Sequence, residues 1–327
     1  MRITDDFLKC VGFIGEVTHK EGTEEYGDLH ATGFFVSVHS KGILGGFYYY
    51  FVTARHVAEE LAGREVYFLV NKKNGGVMRI TASANEWSLH PTDKTADVAV
   101  IGVHIDADAD VKATPIREFI SKEDFHRFGF GLGDEVFTVG LFTAAPGTGR
   151  NFPIVRHGNL AMLPDGPIQT KLGYADVYLV EARSIGGLSG SPVWIRASML
   201  TVVKVGENTI SPDGNAPALM VGPGKLLGLM HGHWDILESE LNKTTIIHDR
   251  QKGVNLGIAI VVPASKILET INQTELEEFR KKGDEMAAKQ GVPGVDAAKS
   301  KKQEVPFTKE KFELALKKAS RKLPPKN

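Results

Sequence analysis

Short apolar runs separated by turn residues recur through the first 262 residues and hold this chain to β-structure. Six such runs, at 11–17, 33–39, 46–53, 65–70, 78–82 and 98–103, are followed by six more at 135–142, 154–162, 176–181, 191–195, 225–231 and 255–262. Many short strands separated by turns manage their edges by closing into barrels. The expected fold class is therefore all-β, with C-terminal helices. In the run before residue 53, Tyr48, Tyr50 and Val52 share one face and Tyr49 and Phe51 the other, so this strand is expected to pack on both sides. A helix-like stretch at 120–128 falls in the connection between the two groups.

Three segments carry chemistry: Thr53-Ala54-Arg55-His56-Val57, Asp97-Val98-Ala99-Val100-Ile101 and Gly187-Leu188-Ser189-Gly190-Ser191-Pro192. A serine hydroxyl is a poor nucleophile at neutral pH. It needs an imidazole to take its proton and a carboxylate to hold that imidazole in the right tautomer. His56, Asp97 and Ser189 supply those three groups. Glycines around Ser189 suit a turn that aims backbone N–H groups at one point, which makes Gly187 and Ser189 the expected oxyanion donors.

The order histidine, aspartate, serine and the wording of the three segments resemble the trypsin-like (chymotrypsin-fold) serine proteases. The resemblance is closest to the bacterial HtrA-like and glutamyl-endopeptidase-like peptidases, without a PDZ segment. It extends to His30-Ala31-Thr32-Gly33-Phe34-Phe35-Val36, to Leu226-Leu227-Gly228-Leu229-Met230-His231-Gly232 and to Gly257-Ile258-Ala259-Ile260-Val261-Val262-Pro263, and so covers residues 10–272. It implies a fold of two six-stranded antiparallel β-barrels and an endopeptidase acting on peptide or protein substrates through an acyl-enzyme, with no cofactor. Two rivals differ in class. A catalytically latent or inactive member of the fold would serve as a protein-binding module, whereas an α/β-hydrolase esterase would need the order serine, acid, histidine. Where animal digestive proteases have an aspartate that pairs with a new N-terminus, this chain has Leu188, so activation by N-terminal cleavage is not expected.

The resemblance also bears on specificity. Arg183 lies near the expected floor of the primary pocket, where it would favour an acidic side chain. An unpaired guanidinium is costly to bury, and the alternative is an Arg183 turned to solvent or paired with a carboxylate. Glutamyl endopeptidases place a histidine on the pocket strand two residues after a glycine, but here His231 comes three after Gly228. With His233 it stays a candidate substrate-binding residue, beside an apolar pocket as the other option. His231-Gly232-His233-Trp234 does not read as a metal site, because zinc takes three or four ligands and no companion set lies nearby in sequence.

The chain of 327 residues has 42% hydrophobic and 24% charged residues and a net charge of −1, values that point to neither nucleic acid nor membrane. Its single cysteine, Cys10, allows no internal disulfide, and the N-terminus lacks the apolar stretch of a secretory signal. A cytoplasmic location is expected. The expected domains are 1–128 (first barrel), 129–272 (second barrel and closing helix) and 273–327 (a helical, basic extension). Ser265 is expected to cap one helix and Thr274-Glu275-Leu276-Glu277 to open another. Residues 197–224 read as an insertion that either gates substrate or decorates the surface. The tail from Lys299 has ten basic residues and three acids, with Phe312, Leu314 and Leu316 on a short helix. It is read as a solvated tail or as a docking segment for a regulatory protein.

Overall fold

The computed structural model describes residues 3–20, 23–83, 86–170, 172–182, 186–196, 201–202, 219–220, 224–237 and 253–290. The 299–327 tail and most of the 197–224 insertion lie outside the described residues.

A four-residue helix α1 (Asp5–Leu8) leads into eight strands: β1 (Val11–Lys20), β2 (Thr23–His39), β3 (Phe47–Thr53), β4 (Glu65–Asn71), β5 (Val77–Ser83), β6 (Ser88–Leu89), β7 (Ala99–Val103) and β8 (Thr114–Pro115). Their order is β5-β4-β1-β2-β3-β7-β6, with β8 added to β2. The expected first barrel is thus an open sheet. The two end strands do not pair: β5 bonds β4, and β6, only two residues long, spends its ladder bonds on β7.

The second group does close. Strands β9 (Glu135–Gly140), β10 (Ile154–Met162), β13 (Tyr178–Glu181), β14 (Pro192–Arg196), β17 (Lys225–Leu237) and β18 (Gly253–Pro263) form a six-stranded barrel in the order β10-β13-β18-β17-β14-β9. Two short pairs stand apart from it, β11 (Ile168–Thr170) with β12 (Gly173–Ala175), and β15 (Thr201–Val202) with β16 (Leu219–Met220).

Helix α2 (Arg55–Glu60) follows β3 directly, and α3 (Lys122–Phe128) joins sheet to barrel. The capping box of α3 shows why it starts where it does. The Ser121 hydroxyl accepts from the Asp124 N–H while the Asp124 carboxylate accepts from the Ser121 N–H, and Gly129, at φ 65°, ends the helix in the left-handed region. Helix α4 (Ala264–Ile271) starts one residue before the expected cap. Pro263, the last residue of β18, holds the N-cap position, so Ser265 sits inside the first turn and caps nothing. Helix α5 (Thr274–Lys289) begins at the predicted threonine. Among the described residues no helix is long and apolar enough to cross a membrane.

One continuous apolar core runs through sheet and barrel. Phe51, the inward residue of β3, is fully buried, stacks on Phe68 at 4.0 Å and meets Phe35 edge-on at 4.9 Å. Tyr50 on the opposite face of the same strand is buried too, as the run of aromatics predicted. Phe7 of α1 sets its ring edge-on against Phe137 and Trp194 of the barrel, at 5.0 and 4.8 Å.

A separate small unit consists of Ser40–Phe47 and Phe279–Asn327 and is described to residue 290. In it Asp284 accepts from the Ser40 hydroxyl at 2.6 Å and from the Gly42 N–H at 3.0 Å.

Truncating Phe51 removes the ring against which Phe35 and Phe68 pack. Phe51→Ala should cost about 3–5 kcal/mol, seen as a lower urea midpoint at unchanged slope. A loss below about 1 kcal/mol would show that the sheet core collapses around the cavity.

Candidate active site

Asp97 lies in the turn before β7, 1% exposed, and is the acceptor around which the site is assembled. Its Oδ1 takes the backbone N–H of His56 at 2.9 Å, and its Oδ2 stands 2.8 Å from Nδ1 of the same residue. One carboxylate therefore fixes both the first turn of α2 and the ring that projects from it. Arg55 ties that helix to the loop leading to Asp97: its Nη1 donates to the Lys94 carbonyl at 2.9 Å, while its Nε donates to Glu59 at 2.7 Å.

A second imidazole reaches the same oxygen. Nδ1 of His231 also bonds Oδ2 of Asp97, and the two rings meet edge-on with centroids 5.5 Å apart. Burial would raise the carboxyl's pKa, but hydrogen bonds from His231 and His56 and the charges of the two rings hold it well below the usual carboxylate range. For His56, burial would lower the pKa. The hydrogen bond and charge of Asp97, helped by Glu60 and Glu59, outweigh that and raise it above its ordinary value.

The path of β17 explains how His231 reaches Asp97. Met230 pairs with Val261 and Gly232 with Ile260, so His231 is the extra residue of a β-bulge. Bulges re-aim side chains. The spacing of three after Gly228, noted in the sequence, coincides with this extra residue. Nothing in the sequence marks the bulge.

Ser189 sits in a tight turn held from both sides. The Thr32 N–H donates to the Ser189 carbonyl at 3.1 Å, Gly190 N–H to Met230 at 2.8 Å, Met230 N–H to Ser191 at 2.8 Å, and Ser191 N–H to Leu188 at 3.0 Å. The Thr32 hydroxyl donates to the Gly187 carbonyl at 2.7 Å and accepts from the Leu141 N–H at 2.9 Å. Two glycines are required here. Gly187 has φ 93° and Gly190 φ 81°, and a Cβ on Gly190 would fall 2.2 Å from both the Thr32 carbonyl and the Thr53 hydroxyl. Leu188 points into the core and is fully buried, so apolar packing stands where an ion pair was excluded by sequence. Among the described residues the N–H groups of Gly187 and Ser189 have no acceptor.

The Ser189 hydroxyl donates to the His231 carbonyl at 3.5 Å, and not to the His56 ring. The structure thus joins His56 to Asp97 and brings His231 to both, while Ser189 is linked to the pair through His231. Arg183 and the side chain of His233 lie outside the described residues. Thr32, in the Ala-Thr-Gly-Phe segment, is the functional-site residue that reading for chemistry passed over, because its role is to position a loop 155 residues away. The absence of companions for His231 was likewise a matter of sequence distance: Asp97 is 134 residues from it, and His56 is 41 from Asp97.

A closed six-stranded barrel, a preceding sheet that bears a histidine held by a buried aspartate, and a glycine-bounded serine turn at the start of a barrel strand are now in place. The fold is trypsin-like. No family model matches the chain, and no curated protein does. Among solved structures it is similar to the MamO protease domain from Magnetospirillum magneticum in its apo form, at 15% identity over 80% of this chain and 96% of that one, with a TM-score of 0.45. It is also similar to Deg5, at 12% identity over 81% and 88% with a TM-score of 0.41. A third is a serine-to-alanine mutant of Rv3671c from M. tuberculosis in an inactive form, at 16% identity over 83% and 88% with a TM-score of 0.37.

Thr32→Val keeps the shape of the side chain but leaves the Gly187 carbonyl and Leu141 N–H without a partner. It should cost about 1–3 kcal/mol in unfolding free energy, with Thr32→Ser regaining most of it. Equal stability of wild type and Thr32→Val would show that the hydroxyl does not hold the turn.

Proposed function

We propose that this chain is a serine endopeptidase in which Ser189 is the nucleophile, His56 the general base, and Asp97 the group that orients His56 and stabilises its charge. The observation that carries the reading is the double hold of Asp97 on His56, by backbone N–H and by Nδ1. With Nδ1 taken, Nε2 is the ring atom left to accept a proton, which is the tautomer such a base needs. The unpaired amides of Gly187 and Ser189 supply the oxyanion donors. Ser189 Oγ attacks the scissile carbonyl as its proton passes to His56. The tetrahedral oxyanion collapses to an acyl-enzyme as His56 protonates the leaving amine, and water, deprotonated by His56, then releases the acid.

Residues 1–128 and 129–272 are proposed as the two functional halves, with 273–327 as an extension whose tail docks a regulatory protein. The compartment proposed is the cytoplasm, supported by the presence of a single cysteine, which is buried and free. Arg183, His231 and His233 are proposed substrate-binding residues. For His231 the bond to Asp97 favours a role at the carboxylate instead.

A second reading, a latent site, rests on the Ser189 hydroxyl lying on the His231 carbonyl. Here substrate or a partner would have to turn the hydroxyl from the His231 carbonyl onto His56.

Covalent labelling by a fluorophosphonate separates the two. Labelling that maps to Ser189 and disappears in Ser189→Ala, with thermal unfolding little changed, is the expected result. No labelling of folded wild type would favour the latent reading. Because the base works as neutral imidazole and its pKa is raised, the rate of peptide hydrolysis should climb with pH through a midpoint above about 6.5. A rate flat from pH 5 to 8 would remove His56 from the mechanism.

A further inference from the structure

Oδ2 of Asp97 is unusual in accepting from two imidazoles through the same ring atom, Nδ1 of His56 and Nδ1 of His231. Fixing the tautomer of His56 requires only one of these contacts. The three side chains also bring their ligand-type atoms within 4.8 Å of one another, the one such grouping among the described residues. Two imidazole nitrogens and a carboxylate oxygen are the donor set of an open transition-metal site, in which three protein ligands leave a fourth position to water. Bonds of about 2.0–2.2 Å at tetrahedral angles set neighbouring ligand atoms about 3.3 Å apart. The His56–Asp97 spacing of 2.8 Å lies below that value and the group's upper limit of 4.8 Å above it, so small side-chain shifts bring the donors to it.

The surroundings suit an ion as well. The ligands come from three separately anchored pieces of backbone: the first turn of α2, the turn before β7, and the bulge of β17. The carboxylate is buried and His231 nearly so, whereas the His56 side chain is 37% exposed and leaves a side open to a water ligand. Asp97 Oδ1 remains bonded to the His56 N–H, an outer contact that orients the carboxylate.

We propose that His56, Asp97 and His231 bind one divalent transition-metal ion of the zinc type, and that the bound ion switches serine chemistry off. The ion takes the Nδ1 lone pair of each neutral ring, so each ring's proton moves through solvent from Nδ1 to Nε2. His56 Nε2 then carries hydrogen and cannot accept the proton of Ser189. The ligand set stands on geometry alone, and the switch rests on the peptidase reading.

The test uses the untagged full-length chain, stripped with a chelator and titrated with Co²⁺ and with Zn²⁺, read by Co²⁺ visible absorption and by calorimetry. Wild type and Ser189→Ala should each bind one ion. His231→Ala and His56→Ala should each lose more than the about 10–100-fold that changes to outer contacts cost, with unfolding curves confirming that both variants are folded. Zn²⁺ should also protect Ser189 of wild type from the fluorophosphonate. Binding that neither histidine variant weakens would overturn the site, and so would a wild type that binds no ion. One bound ion with labelling undiminished would overturn the switch. A wild type that binds Co²⁺ through both histidines yet never labels would uphold the site and count against the peptidase reading instead.

Discussion

The burial of one charge, the Asp97 carboxylate, organises everything near it. An ionised carboxylate removed from water is tolerated only when its oxygens are hydrogen-bonded and opposite charge is at hand. Here the His56 N–H saturates Oδ1 and two imidazoles crowd Oδ2. The demand for donors therefore pins the first turn of α2, the ring of His56 and the bulge of β17 to a single point. The same contacts that make the charge tolerable are the ones that prepare a base.

Thr32 performs the complementary task for the nucleophile. It is fully buried on β2, and its backbone and hydroxyl reach across to the Ser189 turn and to Leu141 at the end of β9. Its carbonyl accepts from the hydroxyl of Thr53, the first residue of the segment that carries His56, at 2.8 Å. Sheet and barrel are thereby joined by polar contacts close to the site as well as by the core. A shift of β2 would move the serine turn and the histidine helix together.

Much of the fold was legible because strand signals are local. Alternation and turn residues place β3, β10 and β14 within a residue or so, and the serine, aspartate and histidine segments announce themselves by composition. Other features were not. Strand β2 begins ten residues before the predicted Gly33, because its outer half, Thr23 to Thr32, is mostly exposed and polar and pairs with β1 through backbone bonds that leave no apolar pattern. Helix α2 is six residues long, too short to show a period. Closure of a sheet depends on whether its two edge strands meet, which no segment encodes by itself, and here the first sheet stays open.

The sequence by itself determined the β-rich class, the two groups of strands, and which histidine, aspartate and serine could share a site. Tertiary structure alone decided that His231 joins them, and that the Ser189 hydroxyl rests on its carbonyl. The reason is that both contacts follow from the register of β17 against β18. One unpaired residue at a bulge turns a side chain from one target to another, and register is settled by pairing between distant strands rather than by the residues of either one.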